Sequence, residues 1–175
     1  MDINYNNLKS DYEGLYSLSH KEDAEQLSLL MKDKYGDIKI LDGTAGVGGN
    51  SISFGHYFTN VISIEKNIER YNFLVENLNS FNLKNKVING SLIDYLNEDY
   101  DLIFIDPPWG GPNYKYEKEL SLSLDNIKLK NMVLTLKDSN KIIVLKLPFN
   151  YNLNEFSTLN YQIYKIKNYL IIIIN

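Results

Sequence analysis

Apolar positions along this chain follow two alternating rhythms. Ala24, Leu27, Leu30 and Met31 recur at helical spacing behind "SHKE", Ser19 to Glu22, where Ser19 is placed to cap a helix and Glu22 to reach back. Ile68, Tyr71, Leu74, Val75 and Leu78 form a second stripe, which predicts a helix over Asn67 to Ser80. Around these lie apolar runs of strand length: "DIKILD" (Asp37 to Asp42), "NVISIE" (Asn60 to Glu65), "KVING" (Lys86 to Gly90), "YDLIFID" (Tyr100 to Asp106) and "KIIVLKL" (Lys141 to Leu147). A short helix is expected between the first two runs, and another across roughly 126–136. Strands alternating with helices predict an α/β fold on a mostly parallel sheet.

The chain ends differently. "YQIYKI" and "YLIIIIN" are separated only by Lys167 and Asn168, a gap that suits an antiparallel hairpin and is too short for a parallel crossover.

Composition narrows the chemistry. With 175 residues, one domain is expected, 1–18 as a short N-terminal segment and 19–175 as the core. Cysteine is absent, so disulfides and thiolate metal sites are excluded. The two histidines, His20 and His56, have no metal-ligand spacing, and no metal is expected. They read as surface or helix-end residues. The polar start "MDINYNNLKS" lacks the apolar stretch of a secretory leader, and "YLIIIIN" is too short to span a bilayer. An intracellular, soluble protein is the expectation, with a monomer favoured. A net charge of −4 argues against a broad electrostatic footprint on nucleic acid, so a nucleic-acid ligand would be small or held by a short segment.

Two motifs carry chemistry. "LDGTAGVGGN", Leu41 to Asn50, places glycines at the carboxyl end of the first strand, where open α/β sheets bind ligands. Dinucleotide enzymes and methyltransferases share this device. Glu65 ends the second strand, placed to accept hydrogen bonds from two ribose hydroxyls. The second motif is "DPPWGGPNY", Asp106 to Tyr114. Its prolines and glycines stop the strand and build a rigid turn holding one carboxylate and one indole. An exocyclic amine on a purine is a poor nucleophile because its lone pair is delocalised. The Asp106 side chain and the Pro107 carbonyl can accept its hydrogens and draw it toward pyramidal geometry, while Trp109 stacks on the base. The catalysis is then mostly orientation.

"PPWGGPNY" at Pro107 to Tyr114 resembles the signature of the trimethylguanosine synthase family, the RNA-cap guanine-N2 methyltransferases. "GVGGN" at Gly46 to Asn50 is similar to that family's cofactor loop, and "EGLYSLSHKEDAEQL", Glu13 to Leu27, looks like its entry segment. The resemblance implies a class I, Rossmann-like methyltransferase with a seven-stranded sheet ending in the antiparallel hairpin. It implies S-adenosylmethionine as cofactor, held by Asp42, Thr44, Gly46, Gly48, Asn50, Glu65, Ser91 and Leu92, with Asp94 as an alternative to Ser91 at the adenine. Catalysis falls to Asp106, Pro107 and Trp109. Trp109, Pro108, Tyr114 and Lys146 would hold the substrate, 7-methylguanosine-capped RNA or a small cap analogue.

The chain departs from the family in three places. Asp106 stands where the family usually has Ser, the long N-terminal extension is reduced to a stub, and Phe149 occupies a position that tends to be Arg for the cap phosphates. Lys146 or Lys115 is the expected substitute for that Arg. Adenine-N6 enzymes and ribosomal guanine-N2 enzymes share the tetrapeptide, so they stand as rivals, as does an inactive cofactor-binding subunit.

Overall fold

The computed structural model describes residues 4–175, so the first three residues of the polar start lie outside it. The chain forms two compact units, Met1–Asp101 and Leu102–Asn175.

In the first unit a 3-10 turn (Tyr5–Asn7) leads to α1 (Tyr12–Ser17), α2 (Lys21–Tyr35), β1 (Ile40–Asp42), α3 (Gly49–Tyr57), β2 (Val61–Glu65), α4 (Ile68–Ser80) and β3 (Lys86–Asn89). β1 pairs with β2, and β2 with β3, both parallel. Asn67 caps α4 by accepting the N–H groups of Glu69 and Arg70, so the helix begins at Ile68, one residue later than predicted. Leu74 and Leu78 of that stripe are buried with Ala45 and Ile52.

α2 begins at Lys21, one residue later than a cap at Ser19 predicts. His20 is the N-cap of α2 and makes no side-chain cap bond. Ser19 is buried, and its hydroxyl accepts the Asn50 amide at 2.9 Å, a tertiary bond between α2's entry and α3.

The second unit holds β4 (Leu102–Ile105), a 3-10 turn (Pro112–Tyr116), β5 (Ser123–Leu124), β6 (Ile127–Lys128), α5 (Leu129–Leu136), β7 (Ile142–Pro148), β8 (Tyr161–Ile166) and β9 (Tyr169–Ile174). The helix expected from 126 starts three residues later. Asp125 and Asn126 have φ of 51° and 65°, the two positive values of a tight hairpin turn, and they join β5 to β6.

β4 pairs with β7 in parallel, whereas β7–β9 and β8–β9 are antiparallel. The strands run in the order β3-β2-β1 in the first unit and β4-β7-β9-β8 in the second, seven in all with the predicted terminal hairpin. β9 lies between β7 and β8, which explains its unbroken run of isoleucines: Ile171 to Ile174 are all buried. β8 is the edge, and its exposed Gln162 and Lys165 suit that place. Among the described residues no helix is long and apolar enough to cross a membrane.

Candidate active site

In the first unit the candidate cofactor residues follow the carboxyl ends of three parallel strands. Asp42 ends β1 and is fully buried; Ser51 donates its hydroxyl to Asp42 Oδ2 at 2.5 Å, and the Thr44 N–H reaches Oδ1 at 3.3 Å. Ser51 was not singled out from the sequence, although it stands at the start of the helix that Asp42 faces across the loop.

Glu65 ends β2. Its Oε2 accepts the Gly46 N–H at 2.9 Å and its Oε1 the Asn67 N–H at 2.7 Å, so the acid clasps the glycine loop to the start of α4. Two acceptor positions are thereby used and about two remain on the carboxylate.

The glycines divide by role. Gly48 is left-handed at φ 110°, and a Cβ there would stand 3.1 Å from Leu74 Cδ1, turned into the core. Gly46, at φ 55°, would project a Cβ into open space. Gly46 is therefore the point where the loop lies open, while Gly48 is required by packing.

Asn50 gives its amide to Ser19, and its Oδ1 is buried with no hydrogen-bond partner among the described residues. After β3, Leu92 packs on Gly43, where a Cβ would meet its Cδ2 at 2.6 Å. Ser91 caps the turn Leu92–Tyr95 by accepting the Ile93 N–H at 3.4 Å, and Asp94 is exposed.

In the second unit Asp106 follows β4. Ile105 lies opposite Leu145 in the parallel register, so the next residues, Asp106 and Lys146, emerge side by side. Lys146 Nζ donates to Asp106 Oδ2 at 2.7 Å. Lys146, expected as a phosphate-facing cation, is thus buried and paired with the carboxylate. Its ammonium also lies 4.8 Å from the Tyr169 ring centroid and 5.7 Å from that of Trp109. The sequence held a sign of this: a cation in the middle of an apolar strand needs an acid.

Burial pushes the Asp106 carboxyl above the usual range, while the Lys146 ammonium and the neighbouring Trp109 N–H oppose that shift. The Trp109 Nε1 itself is buried and makes no hydrogen bond of good geometry.

Pro107 is buried and Pro108 exposed. Tyr114 meets Trp109 edge-on, ring centroids 5.1 Å apart, and Asn150 anchors the turn by donating to the Tyr114 and Glu117 carbonyls at 2.8 and 2.9 Å. Phe149 is exposed, with the Lys165 ammonium 4.9 Å from its ring centroid, and the exposed Lys115 stands 5.8 Å from that of Tyr114.

A family profile described as RNA cap guanine-N2 methyltransferase matches residues 38–174, which include both motifs. The chain belongs to the RNA cap guanine-N2 methyltransferase family. An uncharacterized protein of Acanthamoeba polyphaga mimivirus is 39% identical over 124 residues, 67% of this chain and 48% of that protein. The trimethylguanosine synthase of Schizosaccharomyces pombe is 31% identical over 122 residues, 65% of this chain and 51% of its own. The chain thus spans about half the length of the curated relatives it matches. Among solved structures, a Thermus thermophilus 16S rRNA N2 methyltransferase in complex with AdoMet and guanosine superposes with a TM-score of 0.67 at 16% identity, over 98% of this chain and 44% of that one. At that identity the likeness is one of fold.

Within the family match, Asp42, Glu65, Asp106 and Lys146 all lie on or directly after its sheet strands. α1 and α2 precede the match.

Proposed function

We propose that this chain transfers a methyl group from S-adenosylmethionine to the exocyclic N2 of 7-methylguanosine in an RNA cap, giving 2,7-dimethylguanosine and, on a second turnover, the trimethylated base. The observation that carries the reading is the turn Pro107 to Tyr114, which lies within the family match and resembles the family's signature, with Asp106 held by Lys146 at its entry.

The glycine loop suits the methyl donor. Gly46 offers unobstructed backbone, Asn50 has a buried oxygen with no partner among the described residues, and Glu65 keeps acceptor positions for ribose hydroxyls. Asp42, Thr44, Gly48, Ser91 and Leu92 complete the assignment. When bound, the donor supplies a sulfonium-activated methyl group.

Asp106 and the Pro107 carbonyl accept hydrogen bonds from the guanine amine and aim its lone pair. The surplus proton leaves to water as the C–N bond forms and the C–S bond breaks. Trp109 stacks on the base with Tyr114 bracing its edge. Pro108, exposed on the same turn, borders the base, and Lys146 orients the carboxylate that meets it.

Asp106, an acid where the family has Ser, favours a second reading in which the acceptor is adenine N6. The two separate by product. Capped RNA methylated with labelled donor, digested to nucleosides and resolved by mass, should yield label on guanine N2; label on adenine N6 would support the second reading.

A further inference from the structure

The N-terminal segment is tied to the glycine loop at several places. Tyr5 donates its hydroxyl to the Gly49 carbonyl at 2.7 Å. The buried Asn77 donates to the carbonyls of Val47 at 2.8 Å and Lys9 at 2.9 Å, and accepts the Lys9 N–H at 2.8 Å. Gly14 of α1 presses on the loop, where a Cβ would stand 2.7 Å from Val47 Cγ1.

The last tie is ionic. Arg70, the sole arginine of the sequence, places Nη1 3.0 Å from Glu13 Oε2 on α1. Its Nε is buried without a hydrogen-bond partner among the described residues and lies 3.9 Å from Glu65 Oε1. Glu13, Arg70 and Glu65 thus stand in a row from α1, through α4, to the end of β2.

We infer that Arg70 is a positioning residue that couples the docking of α1 to the cofactor-binding acid Glu65. The inference rests on the reading of Glu65 as the ribose-binding acid. Gly46 and Asn67 each occupy one Glu65 oxygen, so hydroxyls of a ligand must use what remains, and the carboxylate has to keep both its charge and its plane. Arginine does not lose its proton, so the guanidinium keeps its positive charge beside the Glu65 carboxylate. Its Nε–H is within a small shift of hydrogen-bonding Oε1. Glu13 holds the other end of the same guanidinium. When α1 undocks, Arg70 loses that anchor and Glu65 loses its restraint. Linkage makes the effect reciprocal: a ligand that favours the restrained carboxylate favours docked α1 by the same factor.

The test is calorimetry with S-adenosylhomocysteine on Arg70→Met, Glu13→Gln, Glu65→Gln and the Arg70→Met/Glu65→Gln double variant. Amide exchange over Tyr12–Ser17 is followed with and without that ligand. Arg70→Met should weaken binding about five- to thirtyfold, and Glu13→Gln, at a well exposed carboxylate, about threefold or more. Adding Arg70→Met to Glu65→Gln should produce less than about a twofold further loss, which a general loss of folding would not mimic. The ligand should slow exchange in α1 of the parent and not of Arg70→Met. Binding within about twofold of the parent in Arg70→Met, full additivity in the double variant, or exchange in α1 indifferent to ligand would each overturn the coupling. Glu65→Gln binding as tightly as the parent would remove the Glu65 reading itself. Weakened Glu65→Gln beside unaffected Arg70→Met would remove the coupling alone.

Discussion

Lys146 donates to Asp106 across 2.7 Å with both side chains largely withdrawn from water, 7% and 16% exposed. Forty positions separate them in sequence, yet the parallel pairing of β4 with β7 sets them one residue past the Ile105–Leu145 rung. The carboxylate of the signature turn is therefore held by an ammonium that also lies against two aromatic rings, those of Trp109 and Tyr169. Stability, pH dependence and turnover should all report this pair.

Removing the ammonium takes from the largely buried Asp106 its ion-pair partner. Breaking such a pair typically costs about 3–5 kcal/mol, so Lys146→Met should melt well below the parent near neutral pH. Burial raises the Asp106 carboxyl, so the folded state holds that proton more tightly than the unfolded chain. The stability this group contributes is complete below the ordinary aspartate range and is lost as pH rises through the raised value. The deficit of Lys146→Met should accordingly shrink as pH falls and Asp106 becomes protonated. Thermal unfolding at several pH values checks this; a deficit independent of pH would contradict it.

Asp106→Ala should lower kcat by roughly a hundredfold while leaving S-adenosylhomocysteine affinity nearly unchanged, because orientation of the amine is used mainly in the transition state. Asp106→Ser should retain part of the activity, since a hydroxyl still accepts a hydrogen bond. In the parent the acid limb of the kcat–pH profile should lie above that of an exposed aspartate, and Asp106→Ser should lose that limb. Steady-state kinetics and calorimetry on the three proteins decide it.

Gly46 and Gly48 should fail differently. Gly48→Val forces a branched side chain into a left-handed position against Leu74 and Ile52, so it should lower the melting temperature. Gly46→Asn tolerates its positive φ and places its Cβ in open space, so it should fold while binding S-adenosylhomocysteine at least about tenfold more weakly. Melting curves and calorimetry on both variants test the division.

Local pattern made much of the fold legible. The stripe from Ile68 to Leu78 marked α4, and the two apolar runs around Lys167 and Asn168 marked the β8–β9 hairpin. What escaped depended on distant partners or on finer turn chemistry. Ser19 had the spacing of a cap, but the helix takes His20 as its N-cap, and Ser19 also receives the amide of Asn50, 31 residues away. Asn126 stood at the start of an expected helix, yet it and Asp125 take positive φ and make a hairpin turn first. In the site, Asp42, Glu65 and Asp106 were visible because strand ends carry ligand chemistry in such sheets. Lys146 was visible as a cation, but its pairing with Asp106 follows from strand register, which no local window contains.

Trp109 should carry the discrimination for the methylated base. Methylation at N7 spreads positive charge over the guanine rings, and an indole offers both stacking and cation–π attraction. That attraction is worth about 1–2 kcal/mol in a partly desolvated site, roughly five- to thirtyfold in affinity. Trp109→Ala should lose most of the preference for 7-methylguanosine triphosphate over GTP, and Trp109→Phe should keep part of it. Dissociation constants for both nucleotides with each variant measure this directly.

The central claim is cap-directed methylation of guanine, and competition between substrates tests it most directly. Initial rates of methyl transfer are measured side by side on 7-methylguanosine-capped dinucleotide, its unmethylated counterpart and an adenine-containing oligonucleotide. The methylated cap should react at least several-fold faster than the unmethylated one, with the adenine oligonucleotide slowest. Equal rates on the two caps, or fastest transfer to the adenine oligonucleotide, would contradict the account.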